Sequence, residues 1–168
     1  VVAKGILLHR HIDAFTDEHP RTMESKEQLH PYHGKWAGVV IDILNDHFLA
    51  TEWERYSPKE GLRPFAVRMH RTLQEHRSLM LQKDRSILDR MVQDEWLLGY
   101  QHLNGLERAF YGLSKRTGEK NFLNAPSTLK KLGSPLRSNF HSFFPDLIEH
   151  VQNSVDHEKA QTRPPSYR

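Results

Sequence analysis

Two short stretches of this 168-residue chain bring imidazole and carboxylate groups close together: His9-Arg10-His11-Ile12-Asp13-Ala14-Phe15-Thr16-Asp17 and Asp42-Ile43-Leu44-Asn45-Asp46-His47. On a helix turning about 100° per residue, Leu8, Ile12 and Phe15 share one face while His9, Asp13 and Thr16 share another, so His9 and Asp13 stand one turn apart. Such a pair can bind one divalent cation, or one member can orient the other, or the two form an ordinary surface contact worth ~0.3 kcal/mol. In the second stretch His47 falls near the centre of an apolar stripe of Trp36, Val39, Val40, Ile43, Leu44 and Phe48. Asp46 lies on the rim of that stripe, with Asp42 one turn before it. A histidine in that place needs a hydrogen-bond partner, a backbone carbonyl or a carboxylate. Together the stretches offer imidazole nitrogen and hard carboxylate oxygen, a set suited to manganese, magnesium, iron or zinc, so a metal site shared between two helices is a candidate.

The elements that must position these groups are helices. Leucine outnumbers valine and isoleucine together, and no stretch alternates apolar and polar residues for more than a few positions. Glycine and proline cluster at Pro20, Pro31 to Gly34, Ser57 to Pro64, Gly118, Ala125-Pro126, Gly133 to Pro135 and Pro164-Pro165. Between them the spacing predicts helices over roughly 4–16, 20–29, 35–55, 63–82, 85–99, 101–117, 126–132 and 136–157. The expected fold is all-α, a single-domain bundle of about seven or eight helices over residues 1–155, followed by a flexible C-terminal tail over 156–168. His76 reads as a core histidine on the stripe Phe65, Met69, Leu73, Met80, and His30-Pro31-Tyr32-His33 as a histidine-bearing loop. Glu95-Trp96 and Tyr100 read as packing and capping of a long helix, and Phe140, Phe143 and Phe144 as a core-facing aromatic cluster.

Absences narrow the chemistry. With no cysteine there is no disulfide scaffold, thiolate metal site or cysteine nucleophile. The sequence contains no G-x-S-x-G elbow, phosphate-binding P-loop, G-x-G-x-x-G fingerprint or H-E-x-x-H helix, which disfavours serine hydrolases, P-loop enzymes, dinucleotide-binding dehydrogenases and zincins. Apolar runs fall far short of the ~20 residues a membrane-spanning helix needs.

The run Gly5 to Asp17, the run Asp42 to Leu49 with Trp53, Glu95-Trp96-Leu97 with Tyr100, and Phe140 to Pro145 resemble the bacterial acyl carrier protein phosphodiesterases, over nearly the whole chain to about residue 150. The resemblance implies an HD-domain-like helical phosphohydrolase of the cytoplasm, in lipid metabolism, that removes the 4′-phosphopantetheine arm from holo acyl carrier protein to give the apo form. It implies a divalent metal, manganese first, with magnesium or iron as alternatives. Carried over by position, His9, Asp13, Asp46 and His47 are the expected metal ligands, and Arg10, Asp17 and Asp42 the expected catalytic residues. Arg10 would stabilise charge on the phosphoryl group, and Asp42 or Asp17 would accept a proton. His11 matches no family position. Family members carry a further upstream helical segment with an additional acid, and Val1-Val2-Ala3 opens without methionine, so a segment is expected before residue 1.

The implied partner is the acidic, phosphopantetheinylated carrier protein, with no membrane and no nucleic acid expected. A net charge of +3 and the series Arg63, Arg68, Arg71, Arg77, Lys83, Arg85, followed by Lys115, Arg116, Lys130 and Lys131, would favour docking an acidic surface. The competing readings are an HD-type nucleotide phosphohydrolase using the same metal chemistry, and a non-catalytic helical module that binds an acidic partner.

Overall fold

A computed structural model describes the backbone of residues 2–161 and the side chains of residues 5–156. The described chain is helical throughout, with α1 at Val2–Glu18, α2 at Pro20–His33, α3 at Ala37–Thr51, α4 at Trp53–Tyr56, α5 at Leu62–Glu75, α6 at Gln82–Gln93, α7 at Trp96–Gly99, α8 at Leu103–Thr117 and α9 at Ala125–Gln161. Short 3-10 turns at Gly34–Trp36, Arg77–Leu79 and Lys120–Asn124 join some of them, and the described residues contain no strand. The chain divides into two compact units. One is assembled from the N-terminal stretch as far as Gln28 and the C-terminal stretch from Ser134 onward, the other from Leu29–Gly133.

In the second unit α3 is the central element. Val40, Ile41, Leu44 and Phe48 are fully or almost fully buried, as are Leu106 and Phe110 of α8 and Phe122 of the turn before α9. Each large apolar side chain removed from water in this way contributes roughly 1.5–3 kcal/mol, which is why the stripe read from the sequence becomes the middle of the core. Trp36 precedes α3 in a 3-10 turn and packs on Phe122 with ring centroids 5.3 Å apart. The predicted 35–55 helix is interrupted: the Thr51 hydroxyl donates to the carbonyls of His47 and Phe48, and the backbone turns at Glu52 before the short α4. At the end of α8, Gly118 adopts φ +75 and its N–H closes on the Ser114 carbonyl, a left-handed stop that a residue with a Cβ resists.

Other boundaries also depart from the periodicity. His30 to His33 form the last turn of α2 rather than a loop, and His33 is buried. His76 is exposed just past the end of α5 at Glu75, its Nδ1–H donating to the Thr72 carbonyl, and is not a core histidine. The long helix expected over 85–99 stops at Gln93, and Glu95 sits at φ 46 with its carboxylate on Arg63 at 2.8 Å.

The break expected at Gly133 to Pro135 does not occur, and α9 runs through both Pro135 and Pro145. A proline inside a helix removes one backbone hydrogen bond, but Leu129, Leu136, Phe140 and Phe143 are buried along the same helix and that apolar burial outweighs the loss. In the first unit Phe140 stacks on Phe144 at 5.0 Å, and Asn139 donates to the Ser25 hydroxyl inside the packed interior. The helix also continues to Gln161, beyond the expected start of the tail at 156, while the remaining tail residues, 162–168, lie outside the described residues.

Candidate functional site

In the first unit, helix α1 turns Leu8, Ile12 and Phe15 inward to a half-buried position and leaves His9, Arg10, His11, Asp13 and Asp17 exposed. Phe15 stacks on His150 at 4.3 Å, which anchors that face. The expected one-turn stacking is present: His9 Nδ1 lies 3.1 Å from an Asp13 carboxylate oxygen, with both side chains well exposed. Asp17 accepts from the Lys26 ammonium at 2.7 Å.

The same unit contains a second histidine–carboxylate pair that spacing does not reveal. His19 Nε2–H donates to Asp146, 127 residues away, at 3.2 Å, and Nδ1 accepts from the Arg21 backbone N–H. The imidazole thereby stands in for the side-chain oxygen that usually receives the first free N–H of a helix. Its one local signal is its place directly before Pro20, the first residue of α2.

In the second unit His47 is buried, 6% exposed, and its Nδ1–H donates to the Tyr100 backbone carbonyl at 2.6 Å. A carbonyl only accepts, so Nδ1 carries a proton, and in the neutral imidazole Nε2 is then the atom with the lone pair, the arrangement that a metal-ligating histidine normally shows. Gln101 donates to the Ala50 carbonyl at 3.1 Å, so two successive residues after α7 clasp the C-terminal half of α3. Asp46 and Asp42 sit one turn apart on the rim of α3, as the spacing predicts. Although the Asp46 side chain reaches solvent, the protein around it, and secondarily the Asp42 carboxylate, push its carboxyl up to about 6. Burial, helped by the Asp46 charge, also raises the Tyr100 phenol to about 12, which keeps it protonated and able to donate.

Tyr100 is thus more than packing. Its carbonyl sets the tautomer of His47 while its phenol senses the charge of Asp46. Sequence reading assigns it to the cap of a continuous helix, whereas the left-handed Glu95 breaks that helix and delivers Tyr100 to α3.

The candidate ligands therefore fall into two sets, His9 in contact with Asp13 in the first unit, and the sequence neighbours Asp46 and His47, one exposed and one buried on α3, in the second. Among the described residues no three histidine or carboxylate side chains are gathered closely enough to hold a metal ion. Each set supplies one nitrogen and one hard oxygen donor, which fits manganese, magnesium or iron by chemistry.

A family model described as acyl carrier protein phosphodiesterase matches residues 1–147. The chain belongs to the acyl carrier protein phosphodiesterase family. It is 27% identical over 158 residues to the acyl carrier protein phosphodiesterase of Enterobacter sp. strain 638, a match spanning 90% of this chain and 79% of the relative. The proteins of the same name from Photorhabdus laumondii and Escherichia coli O6:H1 are 23% and 24% identical, over 90% and 92% of this chain and 77% and 80% of theirs. No solved structure is significantly similar. No helix among the described residues is long and apolar enough to cross a membrane.

Proposed function

We propose that this protein hydrolyses the phosphodiester between the carrier-protein serine and 4′-phosphopantetheine, releasing the arm and leaving apo acyl carrier protein. The observation that carries this reading is the family match over residues 1–147, which takes in both sets of candidate ligands. Water attacks phosphorus in line with the serine oxygen, the phosphorus–oxygen bond to serine breaks, and the serine oxygen leaves as the hydroxyl after protonation. His9 with Asp13, and Asp46 with His47, are the candidate ligands for a divalent cation, manganese first, and such a cation would acidify water and polarise a phosphoryl oxygen.

The chain's own groups have separate tasks. Arg10, exposed on α1, meets the negative charge that builds on the phosphoryl oxygens. The Tyr100 carbonyl holds the His47 ring so that Nε2 keeps its lone pair. Asp42 and Asp17 are the candidate proton acceptors, and Asp17 is also in contact with the Lys26 ammonium.

The test is incubation of the protein with holo acyl carrier protein and manganese, following the mass of the carrier. The expected result is loss of the phosphopantetheine mass, abolished by chelator and by His47→Ala. An unchanged carrier mass across manganese, magnesium and iron would refute the reading, and turnover of nucleotide substrates instead would favour the phosphohydrolase alternative.

A further inference from the structure

The corner formed by α5, the turn at Arg77–Leu79 and the start of α6 combines positive charge with exposed apolar side chains. It is strongly cationic: between Leu62 and Gln93 the chain has seven Lys and Arg against Glu75, Asp84 and Asp89, a net +4 in a protein whose total is +3. It also presents the most exposed large apolar side chains, Leu79 at 69% and Leu81 at 64%, followed by Val67 at 55%. Apolar surface of this kind, rimmed by charge, marks an interaction face more often than a solvated one.

The cations of this corner are not equivalent. Arg63, Arg68 and Arg77 are paired with Glu95, Glu60 and Asp89. Arg85 donates to the carbonyls of Met80 and Ser78, and with the Arg77 pair it pins the turn to α6, so Leu79 and Leu81 are held outward on a fixed loop. Arg71 and Lys83 are exposed and make no ion pair among the described residues. Arg71 stands one turn from Val67 on α5, and Lys83 one turn from Ile87 on α6, so on both helices a cation without a carboxylate lies beside an exposed apolar residue.

We infer that this corner is the docking face for the acidic carrier protein, with Leu79 and Leu81 entering apolar contact and Arg71 and Lys83 supplying the charge complementarity. The inference rests on the proposed carrier-protein activity for the identity of the partner. Charge selects the occupant: a second copy of this chain would bring the same net +4 against itself, and an acidic protein surface is attracted. The three carboxylates interspersed in the corner distinguish it from a purely basic membrane-binding helix, so a protein surface is favoured over an anionic bilayer.

The experiment is a fluorescence anisotropy titration of labelled apo acyl carrier protein with the full chain. The variants are Arg71→Glu/Lys83→Glu, Leu79→Ser/Leu81→Ser and, on the other basic cluster, Lys130→Glu/Lys131→Glu, with circular dichroism confirming that each is folded. Both corner variants should weaken binding at least about tenfold, the Lys130/Lys131 variant should stay within about twofold, and wild-type affinity should fall as salt rises. The proposal is overturned if the corner variants bind as wild type does, if the Lys130/Lys131 variant loses as much, or if the wild type binds phosphatidylserine vesicles and not the carrier. Mass analysis of holo carrier separates the two claims: binding at the corner without loss of the arm sinks the activity alone, and loss of the arm with binding elsewhere sinks the docking face alone.

Discussion

Gly105→Ala tests the clasp that holds His47, because packing and helix propensity predict opposite signs. Gly105 lies in the first turn of α8, where alanine would ordinarily be favoured over glycine by ~1 kcal/mol. A Cβ built on Gly105 would lie 1.9 Å from the Gly99 carbonyl oxygen, 2.4 Å from its carbonyl carbon and 2.9 Å from its Cα. All three are backbone atoms, so no side chain can swing aside and α7 must move away from α8. Overpacking of a close contact costs roughly 1–3 kcal/mol, and a rigid backbone partner puts this case at the upper end, beyond the propensity gain. The expected net loss is about 2 kcal/mol, or about 4–8 °C in Tm for a chain of this size. Gly112→Ala is the internal control: it lies on the same helix with nothing within 4 Å of the added Cβ, so it should stabilise by about 0.5–1 kcal/mol. Thermal and urea unfolding of the three proteins read the difference. Because residues 99–105 carry Tyr100 and Gln101, whose contacts clasp α3, Gly105→Ala should also lower carrier-protein hydrolysis while Gly112→Ala leaves it intact. A Gly105→Ala protein as stable as wild type would refute the close approach of α7 and α8.

Two further outcomes follow from protonation. The Asp46 carboxyl titrates at about 6 in the folded protein against an ordinary 3.8, so the folded state binds the extra proton, and stability falls as pH rises between those values and remains lower above them. Asp46→Asn should therefore raise the urea midpoint of the metal-free protein at pH 7.5 and lose that advantage by pH 3.5, while abolishing hydrolysis; an Asn variant less stable than wild type at pH 7.5 would contradict the raised carboxyl of this acid. His33 is buried with Nε2–H donating to the Thr128 hydroxyl, whose own proton goes to the Asn124 carbonyl, and burial lowers its pKa below the ordinary 6.5 more than the backbone contact to Asn121 raises it. The folded state then binds fewer protons, so its contribution is complete above 6.5 and is lost as pH falls below that value, a slope that His33→Asn should flatten in urea unfolding across pH 5–7.5.

Helical class, the central place of α3, the burial of His47 and the one-turn pairing of His9 with Asp13 were all legible in the sequence, since each depends on a helical period of about 3.6 residues acting over a few turns. The family resemblance was legible too, through the His-Arg, Ile-Asp and Asp-His runs, and the family match bears it out. What ends a helix was less accessible. Thr51 closes α3 through its own hydroxyl, Glu95 breaks the next predicted helix in a left-handed conformation, and α9 passes two prolines because buried Leu136 and Phe140 outweigh the lost hydrogen bonds. Partners distant in the chain were invisible to periodicity. The His19–Asp146 pair, the Tyr100 carbonyl on His47 and the approach of Gly105 to Gly99 depend on how folded segments meet, and a local pattern contains no record of that meeting. The sequence by itself thus determined which residue types are available for metal and phosphate chemistry and which helices carry them. The tertiary structure decided the tautomer of His47, the elevated carboxyl of Asp46 and which cations remain without a carboxylate, because hydrogen-bond partners, desolvation and ion pairing are set by neighbours that only folding brings into contact.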